Sequence, residues 1–311
     1  MGASTCPAGR ITDHGLFADV RGEIASTPVM FLHGGPGQGC YEFMAIQGDR
    51  LGAAVALIGI DQRGVDRSAP LADASGLTIA DVVDDCEAVR EALGIRRWAV
   101  LGHSFGGILA LRYATSYPGS VSAVMFENPT WDVELTVRGA LPRVAAVLAA
   151  AGHPAAAAAA REAAGDGRPV PELWTAYVAA LSALGEGGEE YFVPSPAARE
   201  LLAGIRSARP DNAADDDETG ASTRHHHNAM VADDTFFQSL LPLLARLDTP
   251  ALLITGGQDP TTSPEQRAAF RVSSPRNSVT DFGPAGHFVH AEEPEAYARL
   301  VSSFARGQAA G

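Results

Sequence analysis

The stretch WAVLGHSFGGILALRYA, residues 98–114, limits the possible folds of this chain most strongly. It begins with an apolar run typical of a buried strand and ends with apolar residues at helical spacing. The pattern Gly-x-Ser-x-Gly, residues 102–106, joins the two parts. Small residues around Ser104 permit a sharp strand-to-helix turn, with a helix N-terminus behind the hydroxyl group. We therefore interpret Ser104 as a candidate nucleophile rather than a small residue in a tight turn.

Short apolar runs elsewhere in the chain predict further buried strands. They occupy residues 29–32, 53–60, 121–126, 251–254 and 278–282. Helical patterns lie between them, and the clearest begins with a capping box formed by Thr78 and Asp81. Alternating strands and helices predict an α/β fold with a mostly parallel central sheet, covered by helices on both faces.

Strand-like sequence is missing between residues 129 and 247, which predicts a helical cap inserted into the sheet domain. The expected division is residues 1–128 and 248–311 for the core, and 129–247 for the cap. Within the cap, the alanine-rich residues 151–169 are compatible with a surface helix or a mobile segment. The acidic residues 211–222 are predicted to form a solvated loop.

Charge and cysteine content exclude several classes of protein. The 23 basic and 37 acidic residues give a net charge of −14, which disfavours binding to nucleic acid or to an anionic membrane. Three scattered cysteines, Cys6, Cys40 and Cys86, do not suggest a disulfide framework or a metal site. We see no signal-peptide pattern and no apolar run of membrane-spanning length, and we predict a cytoplasmic protein without a cofactor or metal.

A serine nucleophile needs a base and an acid that orients the base. Asp259 follows the predicted strand 251–254, and His287 follows the last predicted strand, so both lie where α/β sheets carry their sites. We predict Asp259 as the acid and His287 as the base. Glu127, at the end of another strand, is the alternative acid, and His290 is the alternative base.

The glycine-rich stretch FLHGGPGQG, residues 31–39, follows a predicted strand and can bring backbone close to a reacting carbonyl group. An oxyanion hole would combine the N–H of Gly35 with that of Phe105, and Gly34 would then border the substrate. A phosphate-binding loop is less consistent with the sequence, because neither GK[ST] nor G-x-G-x-x-G follows.

These motifs together resemble those of α/β-hydrolases of the proline-iminopeptidase-like group. They are HGGPG (33–37), DQRG (61–64), GHSFGG (102–107), TGGQDP (255–260) and GHF (286–288). The resemblance implies the α/β-hydrolase fold, a Ser104–His287–Asp259 triad and a helical cap over the site. It also implies that Asp61 and Arg63 brace the oxyanion loop by polar contacts.

The chain also departs from the pattern of that group. Asp66 stands where a glycine is common, although aspartate tolerates left-handed backbone better than most residues. Iminopeptidases of the resembling group hold the substrate's free amino group with cap glutamates, one of which often lies in a Trp-Glu pair, and this cap has no Trp-Glu. Candidate amine anchors without a motif are Glu172, Glu186, Glu189 and Glu190.

Two segments have more than one interpretation. Glu127, Asn128 and Trp131 follow a strand at the entrance to the cap, where they would either line a substrate pocket or form a turn with a packed tryptophan. The histidine run 225–227 could place His227 at the pocket, hold a metal, or lie on the surface. A metal would need other ligands, and none stands out.

The sequence thus predicts a serine hydrolase that cleaves an amide or ester bond in a small molecule or short peptide. The alternatives are an esterase or lactonase, an acyltransferase with the same triad, and a ligand-binding protein without catalytic activity. The sequence gives no prediction of oligomeric state.

Overall fold

The computed structural model describes residues 9–71, 76–185, 187–209 and 217–309. The expectations for Cys6, Glu186 and residues 211–216 lie outside these ranges. The elements below are numbered along the chain within the described residues.

Eight strands form one sheet. They are β1 (Gly9–Arg10), β2 (Phe17–Arg21), β3 (Pro28–Leu32), β4 (Ala56–Asp61), β5 (Trp98–His103), β6 (Val121–Glu127), β7 (Ala251–Gly256) and β8 (Ser278–Phe282). Their order is β1-β2-β4-β3-β5-β6-β7-β8. Strands β3 to β8 pair in parallel, whereas β1 and β2 add an antiparallel edge that the sequence analysis missed. All six predicted strands are confirmed, although β4 starts at Ala56 rather than at residue 53.

Helices cover both faces of the sheet. The core helices are α1 (Tyr41–Gly52), α2 (Ile79–Ala92), α3 (Gly106–Ser116), α11 (Pro264–Ser273), α12 (Val289–Glu292) and α13 (Pro294–Ala309). In β3, Met30 joins the apolar cluster that contains residues of α2 and α3, while Phe31 joins the cluster of α1 and α13. Adjacent residues of a strand point to opposite faces, so the all-apolar strands follow from burial on both sides. The predicted α/β fold, with a mostly parallel central sheet covered by helices on both faces, is confirmed.

Helices also form the long segment between β6 and β7. They are α4 (Val133–Ala150), α5 (Pro154–Gly165), α6 (Val170–Ala183), α7 (Gly187–Phe192), α8 (Pro196–Ser207), α9 (Asp217–Ala232) and α10 (Leu241–Leu244), with a 3₁₀ turn at Asp234–Phe237. No strand occurs among the described residues of this segment. The alanine-rich stretch is helix α5, which buries Ala157, Ala160 and Ala163 on one face. The predicted acidic loop is wrong from residue 217 onward, because helix α9 begins there.

The predicted capping box at the start of α2 is confirmed. The Thr78 side chain accepts a hydrogen bond from the Asp81 N–H, and the Asp81 carboxylate accepts one from the Thr78 N–H at 2.8 Å. Such a cap satisfies two of the backbone donors left free at a helix N-terminus. Among the described helices, none combines the length and the apolar character that a membrane span requires.

Candidate active site

Ser104 lies at a strained turn between β5 and α3. Its φ of 54° is in the left-handed region, which is uncommon for a residue with a side chain. The Ser104 N–H donates to the Glu127 carbonyl at 3.0 Å, and this bond ties the turn to the end of β6. A Cβ at Gly102 would lie 2.2 Å from the Gly106 carbonyl oxygen, and a Cβ at Gly106 would lie 2.1 Å from the Leu32 carbonyl oxygen. The two glycines are therefore required by close backbone contacts.

His287 and Asp259 form a buried pair at the ends of β8 and β7. His287 Nδ1 lies 2.8 Å from Asp259 Oδ1. The same carboxylate accepts hydrogen bonds from the Thr261 hydroxyl at 2.8 Å and from the Thr262 N–H at 2.8 Å. Burial raises the pKa of Asp259, but His287 and the backbone N–H groups of Thr262 and Thr261 outweigh it and lower the pKa to about 2. The carboxylate is thus ionised at neutral pH and fixes the orientation of the His287 ring.

Ser104 and His287 face the same cavity, which has a volume of about 210 Å³. Among the described residues, no hydrogen bond joins the Ser104 hydroxyl to the imidazole. Such contacts are often long in a serine hydrolase without substrate. Gly35 and Phe105 border this cavity as well. Neither of their N–H groups has an acceptor among the described residues, so both are available to an oxygen bound beside Ser104.

The rest of the cavity wall is mostly apolar and aromatic. The remaining lining residues are Gln38, Ile108, Thr130, Thr136, Trp174, Tyr177, Leu181, Phe192, Phe236, Thr261 and Phe288. Trp174, Tyr177 and Leu181 come from one face of α6, at spacings of three and four residues. The sequence analysis missed this face, although its helical periodicity was a usable signal.

Glu127 contacts His290 rather than His287, the histidine that it would orient as the alternative acid. Its carboxylate accepts hydrogen bonds from the His290 N–H at 2.9 Å, from His290 Nδ1 at 2.9 Å and from the Tyr297 hydroxyl at 2.8 Å. Burial raises the pKa of Glu127, but His290 and a smaller contribution from His103 lower it to about 2. The structure therefore places Glu127 and His290 together beneath the site, and neither of them lines the cavity.

Asn128 and Trp131 also lie under the cavity rather than in its wall. The Asn128 amide donates to the carbonyl oxygens of Gly286 and His287, at 3.0 and 2.8 Å, and accepts from the Gly256 N–H. It thereby connects the loop that carries His287 to strand β7. Trp131 is fully buried and stacks on Phe270 at a ring-centroid distance of 5.5 Å. Of the two interpretations of this segment, the structure favours the packed turn.

The three consecutive histidines of α9 contact three different backbone carbonyls. His225 Nδ1 lies 3.2 Å from the Leu71 oxygen, His226 Nδ1 lies 2.8 Å from the Arg63 oxygen, and His227 Nδ1 lies 3.1 Å from the Pro36 oxygen. Each histidine thus holds α9 against a core loop, and His227 holds it against the glycine-rich loop. None of the three lines the cavity.

Polar contacts brace the glycine-rich loop, but not all of them are the predicted ones. Asp61 accepts a hydrogen bond from the Cys40 N–H at 2.7 Å and pairs with Arg67 at 2.7 Å. Arg63 instead pairs with Asp85 of α2, so its expected contact with the loop is wrong. Asp66 stands where a glycine is common in the resembling group, and its φ of 54° lies in the left-handed region, as we expected.

One group of side chains in the described structure has metal-ligating atoms close to one another. It consists of His103, Glu127 and His290, all buried. Glu127 is already saturated by hydrogen bonds, and His103 Nε2 lies 3.1 Å from the His287 carbonyl oxygen. The group therefore forms a hydrogen-bonded network that supports the His287 loop.

Comparison with known proteins finds similar sequences over part of the chain. A family model described as the alpha/beta hydrolase fold matches residues 27–160. A proline iminopeptidase from Xylella fastidiosa is 39% identical over 126 residues, which are 39% of this chain and 40% of that protein. The match thus spans about two fifths of the length of this curated relative.

Solved structures match over nearly the whole chain. The proline iminopeptidase of Mycobacterium smegmatis has a TM-score of 0.69 and 22% identity, with 97% of this chain and 98% of that chain covered. An esterase from Exiguobacterium antarcticum has a TM-score of 0.64 and 17% identity, with 96% and 99% covered. At such identities the likeness concerns the fold alone. The chain thus has the α/β-hydrolase fold, and about two fifths of its sequence is similar to proline iminopeptidases.

Proposed function

We propose that this protein is a serine hydrolase that cleaves an ester or amide bond through an acyl-enzyme. One observation carries the proposal. Ser104, at a strained turn, shares a cavity with a histidine held by a buried carboxylate and with two backbone N–H groups that have no acceptor in the described part of the chain. This is the set of groups that acyl transfer needs.

In the proposed reaction, Ser104 Oγ attacks the carbonyl carbon of the substrate while His287 Nε2 takes the hydroxyl proton. The N–H groups of Gly35 and Phe105 hold the oxyanion that forms. The leaving group departs with the proton from His287. Water then attacks the acyl-enzyme, again with His287 as base, and Ser104 is released. Asp259 stays ionised and keeps Nδ1 of His287 as the donor.

Aminopeptidase activity is a second candidate, and the sequence match to proline iminopeptidases favours it. Such an enzyme must hold the free amino group of its substrate. Among the described cap glutamates, Glu189 pairs with Arg206 at 2.6 Å, and neither Glu172 nor Glu190 lines the cavity. The wall as described thus offers no carboxylate to an amino group, which favours hydrolysis of uncharged esters or amides.

The test compares the purified full chain with Ser104→Ala, using a short-chain para-nitrophenyl ester and L-proline para-nitroanilide as substrates. Ser104→Ala should lower kcat/KM on the order of a thousandfold or more. Ser182→Ala, at an exposed position on α6, is the matched control and should keep normal activity. A serine-directed phosphonate should label the peptide that contains Ser104. Near-normal turnover by Ser104→Ala would refute the mechanism.

A further inference from the structure

The wall opposite Ser104 is an aromatic surface contributed by the segment between β6 and β7. The Trp174 and Phe236 rings meet edge to face at a centroid distance of 5.2 Å, and Tyr177 lies 6.0 Å from Trp174. Phe236 also lies 6.0 Å from Phe105, next to the nucleophile. A surface of this kind gains free energy by removing apolar ligand atoms from water.

Among the described residues, no carboxylate lines the cavity where a cationic substrate would need a counter-charge. Both carboxylate oxygens of Asp259 already accept hydrogen bonds, and the carboxylate is buried behind His287. Glu172 is exposed, whereas Glu190 lines a separate surface depression beside Arg143. Moving an ammonium group from water into an apolar cavity is costly when no counter-charge meets it.

The hydroxyl group of Tyr177 is a polar group in the wall that has no partner within the described part of the chain. Tyr177 is 4% exposed and lines the cavity, yet its hydroxyl makes no hydrogen bond to any described residue. Burial raises the pKa of Tyr177 well above its ordinary value, so the hydroxyl stays neutral. A buried phenol normally finds a hydrogen-bond partner. A bound ligand can supply that partner here.

We propose that the cavity selects esters or amides of uncharged carboxylic acids whose acyl group is an apolar ring or short alkyl body, and that the Tyr177 hydroxyl binds a neutral polar atom on that group. This inference rests on the proposed hydrolase function. The proposed selectivity differs from that of an enzyme that recognises a free N-terminal amine.

The first experiment uses an isosteric pair of substrates. The para-nitrophenyl esters of L-proline and of cyclopentanecarboxylic acid differ at the ring position that carries the ammonium group. At pH 7, the uncharged ester should have a kcat/KM higher by roughly tenfold or more, after subtraction of the Ser104→Ala rate. Equal or better cleavage of the proline ester would overturn the inference, and would mean that the aromatic rings bind a cation by their faces.

A binding experiment tests this inference independently of the proposed hydrolase function. Ser104→Ala is titrated with cyclopentanecarboxamide and with prolinamide, and Trp174 fluorescence is followed in a variant that lacks the other two tryptophans. Tighter binding of the uncharged amide supports the inference even if the esters are not cleaved, in which case the hydrolase mechanism alone fails. Equal or tighter binding of prolinamide overturns the inference even if Ser104-dependent hydrolysis is found.

The Tyr177→Phe variant tests the hydrogen bond. The wild-type protein should prefer esters of para-hydroxyphenylacetic acid over those of phenylacetic acid by roughly 3–10-fold, the value of one neutral hydrogen bond. Tyr177→Phe should remove the preference, which is read as the ratio of the kcat/KM values of the two esters measured on the same variant. Tyr191→Phe, whose hydroxyl donates to the Ala140 carbonyl oxygen outside the cavity wall, should keep it. An unchanged preference in Tyr177→Phe would refute the role of this hydroxyl.

Discussion

At several positions of this site, the surrounding backbone decides which residue type can be accommodated. Gly106 is the clearest case, because the strand β3 carbonyl of Leu32 occupies the space that a Cβ would need. Ser104 accepts left-handed backbone because its turn is tied to Glu127 and because Gly102 and Gly106, two positions away on either side, let the backbone pack closely. The pattern of glycines around the serine was therefore sufficient to predict the turn.

We predict opposite effects of alanine at two helical glycines. Gly106→Ala would place a Cβ 2.1 Å from a carbonyl oxygen and should destabilise the protein by about 3 kcal/mol or more. Gly139→Ala, in the interior of α4, meets no atom within 4 Å and should stabilise it by about 0.5–1 kcal/mol. Urea unfolding followed by circular dichroism measures both. Similar effects at the two sites would contradict this account of the turn.

At the scale of elements, helix α9 is hydrogen-bonded to several loops of the core. Its three histidines bind the carbonyls of Leu71, Arg63 and Pro36, and Ser222 donates to the Gly64 carbonyl oxygen at 2.6 Å. Helices normally direct consecutive side chains apart, so one helix can reach several loops at once. The histidine run is thus explained by its packing.

His226 should make the stability of the protein depend on pH. Burial lowers the pKa of His226 to about 3, whereas an unfolded histidine titrates near 6.5. The unfolded chain therefore binds a proton that the folded chain does not, and stability falls as pH decreases from about 6.5 to 3. The loss due to this residue should be about 2 kcal/mol between pH 7 and pH 5.

Urea unfolding at pH 7 and at pH 5 measures this loss. His226→Gln should be less stable than wild type at pH 7 but should lose less stability on acidification. His225→Gln, which replaces the neighbouring histidine of the same helix, is the control for the substitution itself. An unaltered pH dependence in His226→Gln would contradict the assignment of a buried neutral ring.

At the scale of the whole molecule, the helical segment and the sheet share one core. A single apolar cluster includes Val100 and Phe126 of the sheet together with Leu141 of α4 and Leu173 of α6. Arg143 of α4 also donates to the carbonyl oxygens of Gln258 and Asp259, each at 2.8 Å. The division into a core and a cap at residues 129 and 247 remains a prediction, since shared packing does not define a boundary.

We predict that the two parts unfold together. Trp98 is buried in β5 and Trp174 lies on α6, so two variants, each retaining one of these tryptophans as the sole fluorophore, report on the two parts. Their fluorescence midpoints in urea should coincide with each other and with the far-ultraviolet circular dichroism of the same variants. A lower midpoint for Trp174 would show that the helical segment unfolds first.

The sequence by itself determined the features that depend on neighbouring residues. The buried strands, the capping box of α2 and the turn at Ser104 follow from local apolar patterns and glycine spacing. Chain order and the resemblance to a known group then predicted the pair of Asp259 and His287, which the structure brings to 2.8 Å.

Only the tertiary structure decided which distant groups meet. In sequence, Glu127 and Asp259 both come at or after the end of a strand, and either could orient His287. Packing instead pairs Glu127 with His290, 163 positions away, and Asp259 with His287. The charge of the cavity wall likewise could not be predicted from the sequence, because it depends on how α6 and the turn that contains Phe236 fold over the sheet. Contacts across such separations are set by the summed packing of the whole chain, and no local pattern records them.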